Sequence, residues 1–175
     1  MRARVPATPL SLRLLAGAAD EMAALQAVFE AAPGYFRAVS GAPAPAGAAI
    51  DEFVSLPPGK RYADKRCWGL YAGDAMVGCA DALRGWNAPH KAVVGLLLLA
   101  DSWQGRGLGR AFNARVEAAI AGWPEITTLR LGIISTNTEA FAFWRRMGYA
   151  ETGESRPGAP DFIGDVVVLE KPLPR

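Results

Sequence analysis

The residues best placed to do chemistry are Gln104-Gly105-Arg106-Gly107-Leu108-Gly109-Arg110, where three glycines alternate with larger residues and two arginines stand among them. Upstream, Val93 to Ala100 is an apolar run of strand character. Downstream, Leu108, Ala111, Phe112, Val116, Ala119 and Ile120 recur at helical spacing, with Arg110, Asn113 and Glu117 mostly off that face. The glycines therefore mark a strand-to-helix junction. Without a Cβ they let the main chain approach a ligand closely. The first N–H groups of the helix have no partner inside it, and its dipole places partial positive charge there. Such a junction binds phosphate, and Arg106 and Arg110 add charge beside it. The plainer reading of the same residues is a glycine-rich turn before an ordinary amphipathic helix.

Spacing excludes two phosphate loops. A dinucleotide fingerprint needs a glycine where Arg110 stands, and a Walker loop needs a closing Gly-Lys-Ser/Thr triplet that does not follow here. Composition narrows the partners further. A net charge of +2 and no basic run argue against nucleic acid. Cys67 and Cys79 are the only cysteines and His90 the only histidine, too few for a disulfide framework or a metal cluster. The longest apolar run, Ala92 to Ala100, falls far short of the ~20 residues that cross a bilayer. Met1 to Arg4 is basic, but Pro6, Pro9 and Arg13 interrupt any signal-peptide core. A cytoplasmic protein without a membrane partner is the expectation.

The elements that must position the loop follow in order. Residues 1–9 read as a flexible, proline-punctuated segment before one domain over 10–175. A short strand over Ser11 to Leu15 precedes a helix from an Asp20 cap to about Ala31, ended by Pro33-Gly34. Val39 to Gly47 reads as a connection, and Ile50 to Leu56 as a second short helix. Cys67 to Tyr71 and Ala75 to Leu83 flank a turn at Ala72-Gly73-Asp74, a hairpin. A three-residue loop would oppose Cys67 and Cys79, and a two-residue Gly73-Asp74 loop would not; both are read as buried apolar residues. After the loop and its helix, Ile126 to Ile134 is a strand, so the crossover makes a parallel pair. A further helix starts at Ser135 to Asn137, with Thr136 and Glu139 at capping-box spacing, and Gly148 stops it. Val166 to Glu170 is the last strand. The fold class is α/β of the α+β kind: one mixed, mostly antiparallel sheet with a single parallel β-α-β crossover and flanking helices.

Two motifs carry a family resemblance. Gln104 to Gly109 matches Q/R-x-x-G-x-G/A and resembles the acyl-CoA pyrophosphate loop of the GNAT (N-acetyltransferase) superfamily. Asn137-x-x-Ala140-x-x-Phe143-Trp144-x-x-Met147-Gly148-Tyr149 is similar to that family's N-x-x-A-x-x-[LF]-Y-x-x-x-G-[FY] segment, at the family's separation from the loop. The resemblance covers roughly residues 10 to 171. Phe53 to Leu70, with Leu56-Pro57-Pro58-Gly59-Lys60 and Asp64-Lys65, also resembles bacterial members of unassigned substrate.

The resemblance implies an acetyl-CoA-dependent N-acetyltransferase in which a primary amine attacks the thioester directly. It implies a cleft where the strands ending at Leu99 and Ile134 splay apart. There the backbone of Leu97, Leu98 and Leu99 bonds the pantetheine arm, and an N–H near Leu98 or Leu99 holds the thioester oxygen. The N–H groups of Gly105, Arg106, Gly107, Leu108, Gly109 and Arg110 take the pyrophosphate, beside Gln104 and Phe143. Asn137 either faces the cofactor or caps its helix, and Arg145 and Arg146 either reach phosphate or face solvent. The chain departs from the family in two places. Gly132 stands where one branch has a glutamate, which leaves Asp81, read as sharing a face with Val77 and Cys79, as the general base or else a strand-pairing carboxylate. Trp144 stands where the usual acid is tyrosine, so it packs against the acyl end of the cofactor or fills core. The acceptor region is expected in the first helix, the 33–66 segment and the strand-end loops, with Tyr35, Tyr62, Trp68 and Trp86. A homodimer is consistent with the family. An acyl-CoA-binding regulator with little catalysis is the alternative.

Overall fold

In the computed structural model, which describes residues 9–174, the hairpin turn is the two-residue form. Ala72 of β2 (Lys65–Ala72) pairs with Ala75 of β3 (Ala75–Arg84) across Gly73-Asp74. Cys67 then lies opposite Asp81 and Gly69 opposite Cys79, so the thiols are not opposed; both are free and buried. Before the hairpin come β1 (Leu10–Leu14), α1 (Ala19–Glu30), α2 (Pro33–Ser40) and α3 (Ala48–Val54). After it come β4 (Lys91–Leu99), α4 (Leu108–Ile120), β5 (Thr128–Ile134), α5 (Thr138–Arg146), β6 (Ala150–Arg156) and β7 (Val166–Pro172). The strands form one sheet in the order β1-β2-β3-β4-β5-β7-β6, and only β4 and β5 run parallel.

Two bulges decide which residues face which layer. Leu70 pairs with Gly78 but Tyr71 with Met76, so Val77 is an extra residue in β3. The bulge turns the strand over. Val77, Ala80 and Ala82 pack with Phe112, Val116 and Ile120 of α4, whereas Cys79 packs with Leu25, Val28 and Phe29 of α1. The expected common face of Val77, Cys79 and Asp81 is thereby corrected, because alternation holds only within an unbroken register. The second bulge lies in β4: Asp81 pairs with Leu96 and Ala82 with Val94, which leaves Gly95 unpaired.

Several local expectations also change. Pro33 opens α2 rather than ending α1, as proline does at a first helical position, where its missing N–H is no loss. The cap of α1 is Glu21, not Asp20: its Oε2 accepts from the N–H groups of Ala16, Gly17 and Ala18 at 2.8, 2.8 and 3.0 Å. Thr136 caps nothing, because its hydroxyl donates to the Ala38 carbonyl at 2.5 Å and ties α2 to the end of β5. Asn113, expected off the apolar face of α4, is buried and donates to Glu117, which in turn pairs with Lys171 of β7. Strand β6 was not expected; it is exposed throughout, so no burial alternation announces it. The segment expected to be flexible, 1–9, lies almost wholly outside the described residues. No helix among the described residues is long and apolar enough to cross a membrane.

Candidate functional site

The site grows from a mismatch in length between two neighbouring strands. β4 pairs with β5 only over Lys91 to Val93 against Thr128 to Arg130, while β5 stays with β7 along its whole length. Beyond Val93 the two parallel strands separate. The edge of β4 from Gly95 to Leu99 that faces β5 therefore has no strand partner. Backbone N–H and C=O groups on such an edge need partners from elsewhere. Leu97, Leu98 and Leu99 lie on this stretch, as expected. The Leu99 carbonyl is met by the Gln104 side chain, whose Nε2 donates to it at 2.9 Å.

At the end of that gap stands the glycine loop. Gly105 and Gly107 hold φ of +71° and +75°, and Gly107 is the residue before α4. A side chain is strained at such φ. A Cβ at either position would meet no protein atom within 4 Å, so the space in front of the loop is open. No hydrogen bond among the described residues takes up the N–H groups of Gly105 to Arg110. Gly109 serves a different end: a Cβ there would lie 3.0 Å from the Phe143 ring, so this glycine lets α4 and α5 approach. Gln104 braces the loop rather than facing outward, since its Nε2 also donates to Asp101 at 3.2 Å. Asp101 in turn accepts from the Gly34 N–H at 3.3 Å, which anchors the loop to the start of α2. Arg106 lies over the Trp103 ring, and Arg110 and Arg146 are exposed. Asn137 precedes α5 but makes no capping bond with its side chain. Arg145 pairs with Glu151 of β6 and is exposed.

On the opposite sheet face, beside the Gly95 bulge, lies a cavity of about 270 Å³ bounded by α3, the 55–57 segment, β3, β4 and Trp86. Asp81 stands in its wall with a side chain 10% exposed. A Cβ at Gly95 would lie 2.6 Å from Oδ1 of Asp81, so the bulged glycine makes room for this carboxylate. Oδ1 is buried with no hydrogen-bond partner among the described residues, while Oδ2 is 3.4 Å from Nζ of Lys65. Lys65 donates to the carbonyls of Glu52 and Ser55 and lies 3.9 Å from Oε1 of Glu52. Burial first, and then the Glu52 carboxylate, push the Asp81 carboxyl up to about 7 against the opposing pull of Lys65. Burial also pushes the Cys67 thiol up to about 12 and the Cys79 thiol well above its usual range, so neither is a thiolate near neutrality.

The remaining expected residues divide. Trp144 is buried in the core, edge-on to Phe143 and Tyr149 with ring centroids 5.0 and 5.1 Å away. Trp68, expected near the acceptor, is instead buried on the α4 face, because its strand position points away from α1. Tyr62 is exposed, and its hydroxyl donates to Val54 at 3.2 Å. Tyr35 of α2 packs against both the α1 layer and the Ile134–Val166 cluster, spanning the gap between β4 and β5. Glu52, Lys65 and Gly95 escaped the sequence reading. A glycine inside an apolar strand is a bulge signal that could have found Gly95. Nothing local marks Glu52 or Lys65, which meet Asp81 only through the fold.

Comparison with known proteins bears on this geometry. A family model described as the acetyltransferase (GNAT) family matches residues 25–149. An acetyltransferase from Thermus thermophilus is similar at 26% identity and a TM-score of 0.72, covering 93% of this chain and 97% of that one. An aminoglycoside acetyltransferase in complex with coenzyme A shares the fold at 18% identity and a TM-score of 0.70, covering 94% and 95% of the two chains. A Bacillus subtilis acetyltransferase in complex with CoA does so at 17% identity and a TM-score of 0.61, covering 95% and 100%. No match was found among curated proteins.

Proposed function

The chain belongs to the acetyltransferase (GNAT) family, whose members transfer an acetyl group from acetyl-CoA to an amine, and we propose that the β4–β5 gap holds the acyl donor while Asp81 takes the acceptor's proton. The residues present fit the donor. Open space in front of Gly105 and Gly107, free N–H groups from Gly105 to Arg110 and an unpaired β4 edge are what a pyrophosphate and an extended amide-bearing arm require. Acetyl-CoA supplies, when bound, an acetyl thioester open to attack by an amine.

In this reading the loop N–H groups, Arg106, Arg110 and Arg146 bind the phosphates, and the backbone of Leu97 to Leu99 bonds the pantetheine. Gln104 holds the loop against Leu99, and Phe143 seats on Gly109. The free side chain of Asn137 faces the donor. Trp144 does not titrate usefully; it packs the inner end of the site, and the departing thiolate, with a conjugate acid near ~8.5, needs no dedicated acid.

Asp81 answers the remaining need. Freeing a lysine-like amine of its proton at pH 7 costs about 4.6 kcal/mol, and a base of near-neutral pKa at the site offsets this. The observation that carries the assignment is the Asp81 carboxylate itself, buried, with one oxygen unpartnered, in a cavity beside the point where β4 leaves β5. The test is CoA release with an amine panel, comparing the native chain with Asp81→Asn. The substitution is expected to lower kcat/KM by roughly 10²–10⁴ with acetyl-CoA binding unchanged. Equal turnover by both proteins sinks the base assignment.

A further inference from the structure

Resting on that reading, the cavity beside Asp81 also identifies the class of acceptor. Its charged lining is two carboxylates, Glu52 and Asp81, and one ammonium, Lys65, with the Ser55 hydroxyl beside them. An ammonium has three donors. Those of Lys65 are taken by the carbonyls of Glu52 and Ser55 and by Oδ2 of Asp81. Oε1 of Glu52, at 3.9 Å, is beyond hydrogen-bond reach of Lys65. Oδ1 of Asp81 is buried without a partner among the described residues. The Glu52 carboxylate, its side chain 38% exposed, is left to face the cavity with Asp81 behind it, the complement of a single ammonium group.

The rest of the wall is of another kind. Leu56, Pro57, Leu83, Val93 and Trp86 are apolar. Along β3 the span from Asp81 to Leu83 is about 7 Å at ~3.3 Å per residue, and Trp86 lies just past the strand. The volume, about 270 Å³, is at the small end of ligand sites, which run from about 300 to 1,000 Å³. No residue lining the Trp86 end carries a negative charge. A second ammonium carried by the acceptor would find no carboxylate partner there.

We propose that the acceptor is a compact primary monoamine with a flat apolar body, its ammonium held by Glu52 beside Asp81 and its body lying along Leu83, Val93 and Trp86. Polyamines fail for want of a second carboxylate along the apolar wall, and multi-ring aminoglycosides fail on volume.

The test uses the full chain with acetyl-CoA and five probes: 2-phenylethylamine, n-butylamine, spermidine, kanamycin and Nα-acetyl-lysine amide. 2-Phenylethylamine is expected to give the highest kcat/KM, by about tenfold or more. Glu52→Gln is expected to raise its KM by about tenfold with kcat little changed, as loss of one charge-assisted partner does. Trp86→Ala is expected to erase its advantage over n-butylamine. Calorimetry of 2-phenylethylamine on the CoA-loaded protein reads the same site without turnover, and Glu52→Gln should weaken that binding too. A preference for spermidine, kanamycin or the lysine probe overturns the proposal while leaving the acetyl-transfer reading intact. No calorimetric binding of 2-phenylethylamine, or binding unaffected by Glu52→Gln, overturns it as well. Activity that survives Asp81→Asn, with the amine preference and the Glu52→Gln effect as expected, supports the acceptor class and removes only Asp81 as the base.

Discussion

Replacing Asp81 with asparagine removes a carboxyl whose ionisation the fold opposes, and the size of that opposition can be worked out. Burial and the neighbouring Glu52 carboxylate raise Asp81 from an ordinary 3.8 to about 7, even with Lys65 pulling the other way. At about 1.36 kcal/mol per pH unit, the difference amounts to a ceiling of about 4 kcal/mol. The sign follows from proton uptake. Between pH 4 and pH 7 the native state holds this proton while the unfolded chain has released it, so stability falls as pH rises through that window. The titratable groups facing Asp81 are Glu52, Lys65, Tyr35, Cys67 and Cys79, and all of them remain in the variant. Their own titrations largely cancel when variant and native chain are compared at each pH. For a chain of this size 1 kcal/mol moves Tm by about 2–4 °C. Thermal unfolding without acetyl-CoA should therefore show Asp81→Asn gaining on the native protein by several degrees between pH 4 and pH 8, with roughly 8–16 °C as the limit. A difference that stays constant, or that shrinks toward pH 8, refutes the reasoning: Asp81 would then be an ordinary ionised partner of Lys65. A buried group that destabilises its own fold when ionised, in a cavity, is the pattern expected of a catalytic acid or base.

Other consequences are as direct. Saturating acetyl-CoA, at 100 times its Kd, should stabilise the native chain by ~2.7 kcal/mol, or about 5–11 °C; Gly107→Val, which strains a φ of +75° and fills the open cradle, should lose that shift. A full shift in the variant would refute the loop assignment. Gly78→Ala places a Cβ 2.8 Å from the Leu98 carbonyl oxygen and from Leu99, so denaturant unfolding should show a loss of roughly 1–3 kcal/mol; unchanged stability would contradict the tight β3–β4 contact. Trp144→Phe should lower Tm yet keep kcat/KM within about threefold of native, as expected of a packed core ring. A hundredfold loss of activity in a folded variant would show that the indole acts on the reacting groups.

The strand–glycine–helix junction was legible because each of its parts is local. An apolar run, three glycines and a 3.6-residue period need no distant contact to be recognised, and the φ values at Gly105 and Gly107 agree with them. The hairpin, the parallel crossover and the stop at Gly148 were readable for the same reason. Strand β6 and helix α2 were not. The first has no buried face, and the second begins at a proline that also reads as a terminator. Sequence by itself determined the family's two motifs, the mixed α+β architecture and the candidacy of Asp81. Only the tertiary structure decided which side of the sheet Asp81 faces, since that depends on the extra residue at Val77 in one strand and at Gly95 in the next. It also decided that Glu52 of α3 and Lys65 of β2 meet Asp81. The physical reason is range: backbone geometry and periodicity are set by near neighbours, whereas the charge around a buried carboxylate is set by whatever the register and the layer packing bring against it.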